Sequence, residues 1–247
     1  LNGAWPAGTD LLTLDTVDST SAEAARRAPE VERPTWVFAR RQTAARGRRG
    51  RPWVAPAGNF GASLVWRPPG GPAGWALRSF AAALALADAL AAAGTDPARI
   101  ALKWPNDVLL DGGKLAGILL ETQGPSLILG VGVNLAAAPP AAEVEADAMR
   151  PVCLEGAVEP EPFLRLLAPA FDGWERTLVA HGFAPLRAAW TARAARMGER
   201  ARVRVGPRHR DGVIEGLDAG GRLLLRTSRG VEALAAGDVF FPQATGA

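Results

Sequence analysis

Where apolar positions recur every second residue the chain predicts strands, and where they recur every third or fourth it predicts helices. Residues 35–39 and 60–66 read as strands on either side of a long basic loop. Thr20-Ser21-Ala22-Glu23 has the spacing in which a hydroxyl and an acid three residues on satisfy the open N–H groups of a helix start, which predicts a short helix to about Arg27. The longest helical pattern covers residues 74–93 and stops at Gly94. Three strands follow at 108–110, 115–121 and 126–135, separated by the turns Asp111-Gly112-Gly113 and Gln123-Gly124-Pro125, so an antiparallel meander is expected. In the last strand Leu127, Leu129, Val131, Val133 and Leu135 alternate with Gly130, Gly132 and Asn134. Glycine weakens a strand, so this bare face implies that something other than a side chain lies against it, either a neighbouring helix or a ligand.

Residues 136–160 form a Pro-rich, acidic excursion, with helices expected after it at 161–180 and 184–196. Alternation then resumes in five short pieces, at 202–205, 212–217, 222–226, 231–234 and 239–241, with Gly-rich turns between them, as in a small barrel. The pattern changes near Met197-Gly198, which predicts one domain over residues 1–197 and a second over 198–247.

Composition narrows the classes. With 48% hydrophobic and 21% charged residues, the 247-residue chain has enough apolar material for a core. The longest apolar stretch, near residues 80–90, is broken by Asp88 and is short of the ~20 residues a membrane span needs, so no membrane partner is expected. No signal peptide is visible, and Cys153 with His181 and His209 offers neither a disulfide nor zinc spacing; a cytoplasmic protein is the expectation. The formal charge of +3 is low for a nucleic-acid protein. Among 28 basic residues only Lys103 and Lys114 are lysines, both in one segment. A guanidinium does not replace an ammonium where a compact point charge must fit a tight site, so these two draw attention.

Arg40, Arg41, Arg46, Arg48, Arg49 and Arg51 fall in one stretch with glycines at 47 and 50 and no acid. A solvated charge run and a nucleic-acid contact are two readings. The third is a flap whose backbone N–H groups and guanidinium forks close together on a phosphate. No Walker loop is present. The second cluster is Lys103-Trp104-Pro105-Asn106-Asp107, followed after a turn by Lys114-Leu115-Ala116-Gly117 and the strand to Glu121. Singly these would be surface lysines and a turn cap; together they set two ammoniums, an amide and a carboxylate around one strand pair.

The blocks Asp18-Ser19-Thr20, Gln42 with Arg46 to Trp53, Lys103 to Asp107 with Lys114 to Glu121, and Gly130-Val131-Gly132-Val133-Asn134 resemble, in that order, the biotin protein ligases. Ala45 stands where that family usually has glycine, and Ser21 where asparagine is common. The resemblance implies an α+β fold: a mixed, largely antiparallel sheet with packed helices, like class II aminoacyl-tRNA synthetases, plus an SH3-like barrel. It implies MgATP-dependent activation of biotin to biotinyl-5′-AMP, then transfer to a lysine of a carboxylase's biotin carboxyl carrier domain. Lys114, Arg46, Arg48 and Asp107 would be catalytic. Ser19, Thr20, Ser21, Gln42, Arg46, Gly47, Arg48, Lys114, Gly117, Gly130 and Gly132 would hold biotin. Arg48, Arg51, Trp53, Lys103, Asn106, Lys114 and Asn134 would hold the adenylate, with Asp107 as metal ligand or as the group orienting the acceptor amine. Some members carry an N-terminal helix-turn-helix; only seventeen residues precede Asp18, so the monofunctional type without DNA binding is expected. Monomer and homodimer remain open. The rivals are a lipoate or octanoate ligase or transferase of the same fold, and a non-catalytic nucleic-acid module.

Overall fold

The computed structural model describes residues 4–140, 143–144, 149–155 and 158–241. Seven strands, β1 (Asp10–Val17), β2 (Thr35–Gln42), β3 (Phe60–Trp66), β4 (Ile100–Lys103), β5 (Asp107–Leu110), β6 (Gly113–Gln123) and β7 (Ser126–Val133), form one sheet. Their order is β1-β2-β3-β7-β6-β5-β4, and only the β1–β2 pair is parallel. The expected meander is β5-β6-β7. Helix α1 (Thr20–Arg27) makes the β1–β2 crossover, while α2 (Arg78–Ala92), α3 (Pro160–His181) and α4 (Phe183–Ala192) complete the helical set.

Period-two alternation gives the sheet two different faces. Trp36, Phe38, Phe60, Leu64, Trp66, Leu127, Leu129 and Leu115 share one buried cluster with residues of α2, α3 and α4. Phe60 meets Phe163 edge-on at 5.2 Å and Trp66 meets Phe171 at 5.7 Å, so aromatic contacts seal this layer. Each fully buried side chain of this size contributes roughly 1.5–3 kcal/mol. On the opposite face α1 covers only part of the sheet, through Ala24 and Ala28 against Val37, Val65 and Ile128. The uncovered remainder carries glycines in register: Gly61 pairs with Gly132, Gly132 with Gly117, and Gly117 with Asp107, which pairs with Lys103. A glycine-floored trough thus runs across three strands and ends at a carboxylate and an ammonium.

The C-terminal strands β8 (Arg200–Val205), β9 (Arg208–Leu217), β10 (Leu223–Thr227), β11 (Gly230–Leu234) and β12 (Asp238–Phe240) form a five-stranded antiparallel sheet, β11-β10-β9-β8-β12, of the SH3-like kind. It packs close to the first. Trp104 Nε1 donates to the Gly221 carbonyl at 3.1 Å, and Leu102 pairs with Ala194 as an isolated bridge.

Several expectations shift. Strands β1 and β4 were not foreseen, β2 runs on to Gln42, and α4 stops at Ala192 rather than 196. The 74–93 helix is a 3-10 stretch, Pro72–Leu77, followed by α2. Helical residues Gly74–Ala92 are long and apolar enough, by length and composition, to cross a membrane; here 67% of them are buried inside the fold. The α1 cap is Ser19, whose Oγ accepts from Ala22 N at 3.4 Å, not Thr20, and Glu23 turns to Arg26 and Arg27 instead of back to the cap. Part of the 136–160 excursion lies outside the described residues.

Candidate functional site

A cavity of about 910 Å³ opens on the glycine-bearing face. Every residue to which the resemblance gives a catalytic, biotin-binding or adenylate-binding role lines it, from Ser19 through Asn134, so segments far apart in the chain meet on one wall. One end is a hydroxyl–amide relay. Because Ser19 caps the helix, the Thr20 hydroxyl is released to donate to Gln42 Oε1 at 3.1 Å, and Thr20 N donates to the same oxygen at 2.8 Å. Ser63 Oγ donates to Thr20 Oγ1 at 3.0 Å, which leaves Ser21 Oγ to donate to Ser63 across 3.0 Å. Gln42 Oε1 is therefore fully engaged, and its Nε2, which lies directly against Gly61, is the group left to offer. Ser63 was missed in the sequence; its only signal was a polar residue in the otherwise apolar run Phe60–Trp66.

The middle of the trough is covered by Trp53. A Cβ added at Gly132 would stand 2.7 Å from the indole and one at Gly117 3.1 Å from it, so both positions need glycine for this ring to reach the sheet, and it is a side chain, not the expected helix or ligand, that lies against the bare face. Lys114 Nζ stands 5.7 Å from the ring centroid. Trp53 Nε1 is buried against Gly132 without a hydrogen-bond partner. Asn134 is buried, donates to the Val152 carbonyl at 3.0 Å and accepts from Asn59 at 3.5 Å, so it braces the wall with an amide engaged at both ends.

At the far end Lys103, Asp107 and Lys114 form a triad. Asp107 Oδ1 is 2.8 Å from Lys114 Nζ and Oδ2 is 3.3 Å from Lys103 Nζ. Burial alone would raise the Asp107 carboxyl, but the charges of Lys114 and Lys103 outweigh it and hold the group below the usual carboxylate range. Burial pushes the Lys103 ammonium below the usual lysine range, against the attraction of Asp107. Lys114 is the more open of the two and its backbone is fixed from both sides: its N–H donates to Arg150 O at 2.8 Å and its carbonyl accepts from Val152 N at 3.0 Å. Both Asp107 oxygens face ammonium nitrogens, and Oδ1 is buried without a well-aligned hydrogen bond. Among the described residues no group of three or more His, Cys, Asp or Glu could hold a metal.

The basic loop closes over the triad as a tight hairpin. Gly47 N donates to Arg51 O at 2.7 Å, Trp53 N to Ala45 O at 2.9 Å, and Arg49 and Gly50 take left-handed φ values of 59° and 71°. Arg48 Nη1 donates to Asn106 Oδ1 at 3.0 Å, and Asn106 Nδ2 donates to the Ile118 carbonyl at 2.6 Å, which ties the loop to β6. Burial lowers the Arg48 guanidinium from its ordinary value, against the attraction of Asp238. Arg46 pairs with Glu121 at 3.4 Å on the more exposed side. The site thus joins a polar relay, an apolar trough and a dense cationic end, with Lys114 where the last two meet.

Residues 13–136 match the Biotin/lipoate A/B protein ligase family, and residues 198–241 match the biotin protein ligase C terminal domain. The chain belongs to the biotin/lipoate A/B protein ligase family. It is 53% identical over 237 residues to the biotin--[acetyl-CoA-carboxylase] ligase of Paracoccus denitrificans, covering 92% of this chain and 99% of that protein. The Mycobacterium tuberculosis protein of the same name is 37% identical over 217 residues, covering 82% of this chain and 77% of the relative. In fold, the biotin protein ligase from Aquifex aeolicus in complex with biotin and ATP superposes with a TM-score of 0.80 at 24% identity, over 93% of this chain and 97% of the other.

Proposed function

We propose that this ligase activates biotin with ATP to biotinyl-5′-AMP, releasing pyrophosphate, and then transfers biotin to a lysine of the carrier domain of acetyl-CoA carboxylase. The observation that carries this reading is the position of Lys114 Nζ, 2.8 Å from Asp107 and at the meeting point of the glycine trough and the arginine loop. The similarity to two biotin--[acetyl-CoA-carboxylase] ligases supports the same substrate and acceptor.

In the first step a biotin carboxylate oxygen attacks the α-phosphorus and the bond to the β-phosphate oxygen breaks, with pyrophosphate leaving. Two anions must approach, so the barrier is largely electrostatic and fixed cations lower it. Lys114 bridges carboxylate and α-phosphate; Arg48 and Arg51 take phosphate charge. The Gln42 amide N–H groups and the serine and threonine lone pairs complement a cyclic urea, which presents one carbonyl and two N–H groups. Gly132 and Gly117 seat the Trp53 ring against the sheet, and the tail runs along that ring from the hydroxyl–amide relay to Lys114. In the second step the acceptor amine attacks the acyl carbon and AMP leaves. Asp107 keeps Lys114 in place throughout. Magnesium enters this reading only with the nucleotide, as MgATP. The separate sheets support a catalytic unit over 1–197 and a C-terminal unit over 198–247, and use of ATP supports a cytoplasmic setting.

Biotin-dependent exchange of labelled pyrophosphate into ATP tests the reading. Lys114→Arg keeps the charge but replaces a point ammonium with a bulkier fork, and exchange should fall on the order of 10²–10³-fold. Wild-type exchange in that variant would remove Lys114 from the chemistry.

A further inference from the structure

Asn59 precedes β3, is only 6% exposed and lies outside the lining of the cavity, yet its amide is fully engaged. Oδ1 accepts from Ala136 N at 2.9 Å and from Ala137 N at 3.0 Å, while Nδ2 donates to the Ala137 carbonyl at 2.7 Å and to Asn134 Oδ1 at 3.5 Å. A side-chain amide offers two lone pairs and two N–H groups, and all four are used. The backbone closes the same joint: Gly58 has a φ of 83°, and a Cβ there would stand 2.7 Å from Ala136 Cβ. Asn59 thus fixes the turn by which the chain leaves β7.

From that turn a run of hydrogen bonds leads to Lys114. Asn134, held by Asn59, donates through Nδ2 to the Val152 carbonyl at 3.0 Å, and its own carbonyl accepts from Leu154 N at 3.1 Å. Residues 150–154 are thereby laid beside the start of β6, where Arg150 O and Val152 N hold the two sides of the Lys114 backbone at 2.8 and 3.0 Å. Gly113 permits this approach, since a Cβ on it would run into the Val152 side chain. The Thr20, Gln42 and Ser63 relay belongs to a separate set of hydrogen bonds.

We propose that Asn59 is a positioning residue for adenylation: through Asn134 and residues 150–154 it sets where the Lys114 ammonium stands, without touching either substrate. The proposal rests on the reading of Lys114 as the group that bridges carboxylate and α-phosphate. A misplacement of about 1 Å at such a group can cost on the order of 10²-fold in rate.

Asn59→Asp tests this because its effect titrates. A carboxylate still accepts from the Ala136 and Ala137 N–H groups but repels the Ala137 carbonyl and Asn134 Oδ1, whereas the neutral acid regains one O–H donor. Burial raises a carboxyl above its ordinary range, so the defect is present at about pH 8 and is lost as the pH falls to about 6. In biotin-dependent pyrophosphate exchange, kcat of Asn59→Asp relative to wild type should be down about tenfold at the higher pH and recover at the lower, with the Kd for biotin unchanged. Combined with Lys114→Arg the loss should not add, so the double variant should be about as slow as Lys114→Arg alone. Asn59→Ser, uncharged and too short to reach Asn134, should show the same non-additive loss without the pH dependence, and it decides the matter if Asn59→Asp does not fold. Losses that multiply in the double variants would overturn the proposal. So would a matching loss of biotin affinity, which would make Asn59 a support of the fold alone. Wild-type exchange in the single variant Lys114→Arg would instead remove the reading of Lys114, and this proposal with it.

Discussion

Asp107 illustrates how one residue can matter through its neighbours. Its two oxygens separate Lys103 from Lys114 and leave Lys114 Nζ fixed but accessible. Asp107→Asn would strand the buried Lys103 ammonium without a counter-charge, and removing one partner of such a pair costs about 3–5 kcal/mol. The pH dependence has a definite sign. The folded carboxyl titrates below its ordinary value of 3.8, so its stabilisation is present above that value and is lost as pH falls through the folded one. Denaturant melts at about pH 7 and about pH 3 should show a large gap between wild type and Asp107→Asn at the first and a smaller one at the second. A gap that widens in acid would contradict the ion-pair account. The two lysines were legible in the sequence because an arginine-rich chain had kept them. Ser63 and Asn59 were not: one is a single hydroxyl in an apolar strand, the other an ordinary amide whose partners are brought to it only by the fold.

At the scale of elements, strand register makes the site. The bare face of β7 was legible from alternation alone, but not that Gly61 and Gly117 stand beside Gly132 on the neighbouring strands, since register is set by pairing between segments distant in sequence. A Cβ at Gly130 would lie 2.6 Å from Ser21 Oγ. Gly130→Ala should therefore push Ser21 away from Ser63 at an overpacking cost of about 1–3 kcal/mol. Titration should show weaker biotin binding, with ATP binding near wild type. Equal losses for both ligands would argue against a trough specific to the acyl group. Strands β1 and β4 escaped sequence reading for physical reasons. β1 is an edge strand whose two faces are both only partly buried, so its alternation is weak, and the four residues of β4 are too few to show any period.

For the molecule as a whole, the antiparallel meander and the small C-terminal sheet were legible from short alternations broken by glycine turns, whereas the mixed sheet followed from the resemblance alone, its parallel pair resting on β1. Their mutual placement was not, since the contacts that set it, Trp104 with Gly221 and the arginine loop with Asp238, join residues more than a hundred positions apart. That placement is what turns a polar relay, a glycine trough and a set of cations into one cavity able to bring a carboxylate to a triphosphate. Mass analysis after incubation with MgATP and either biotin or lipoate tests this most directly. Biotinyl-5′-AMP should form with biotin, and no acyl adenylate should form with lipoate; lipoyl-AMP, or no adenylate from either acid, would contradict the account.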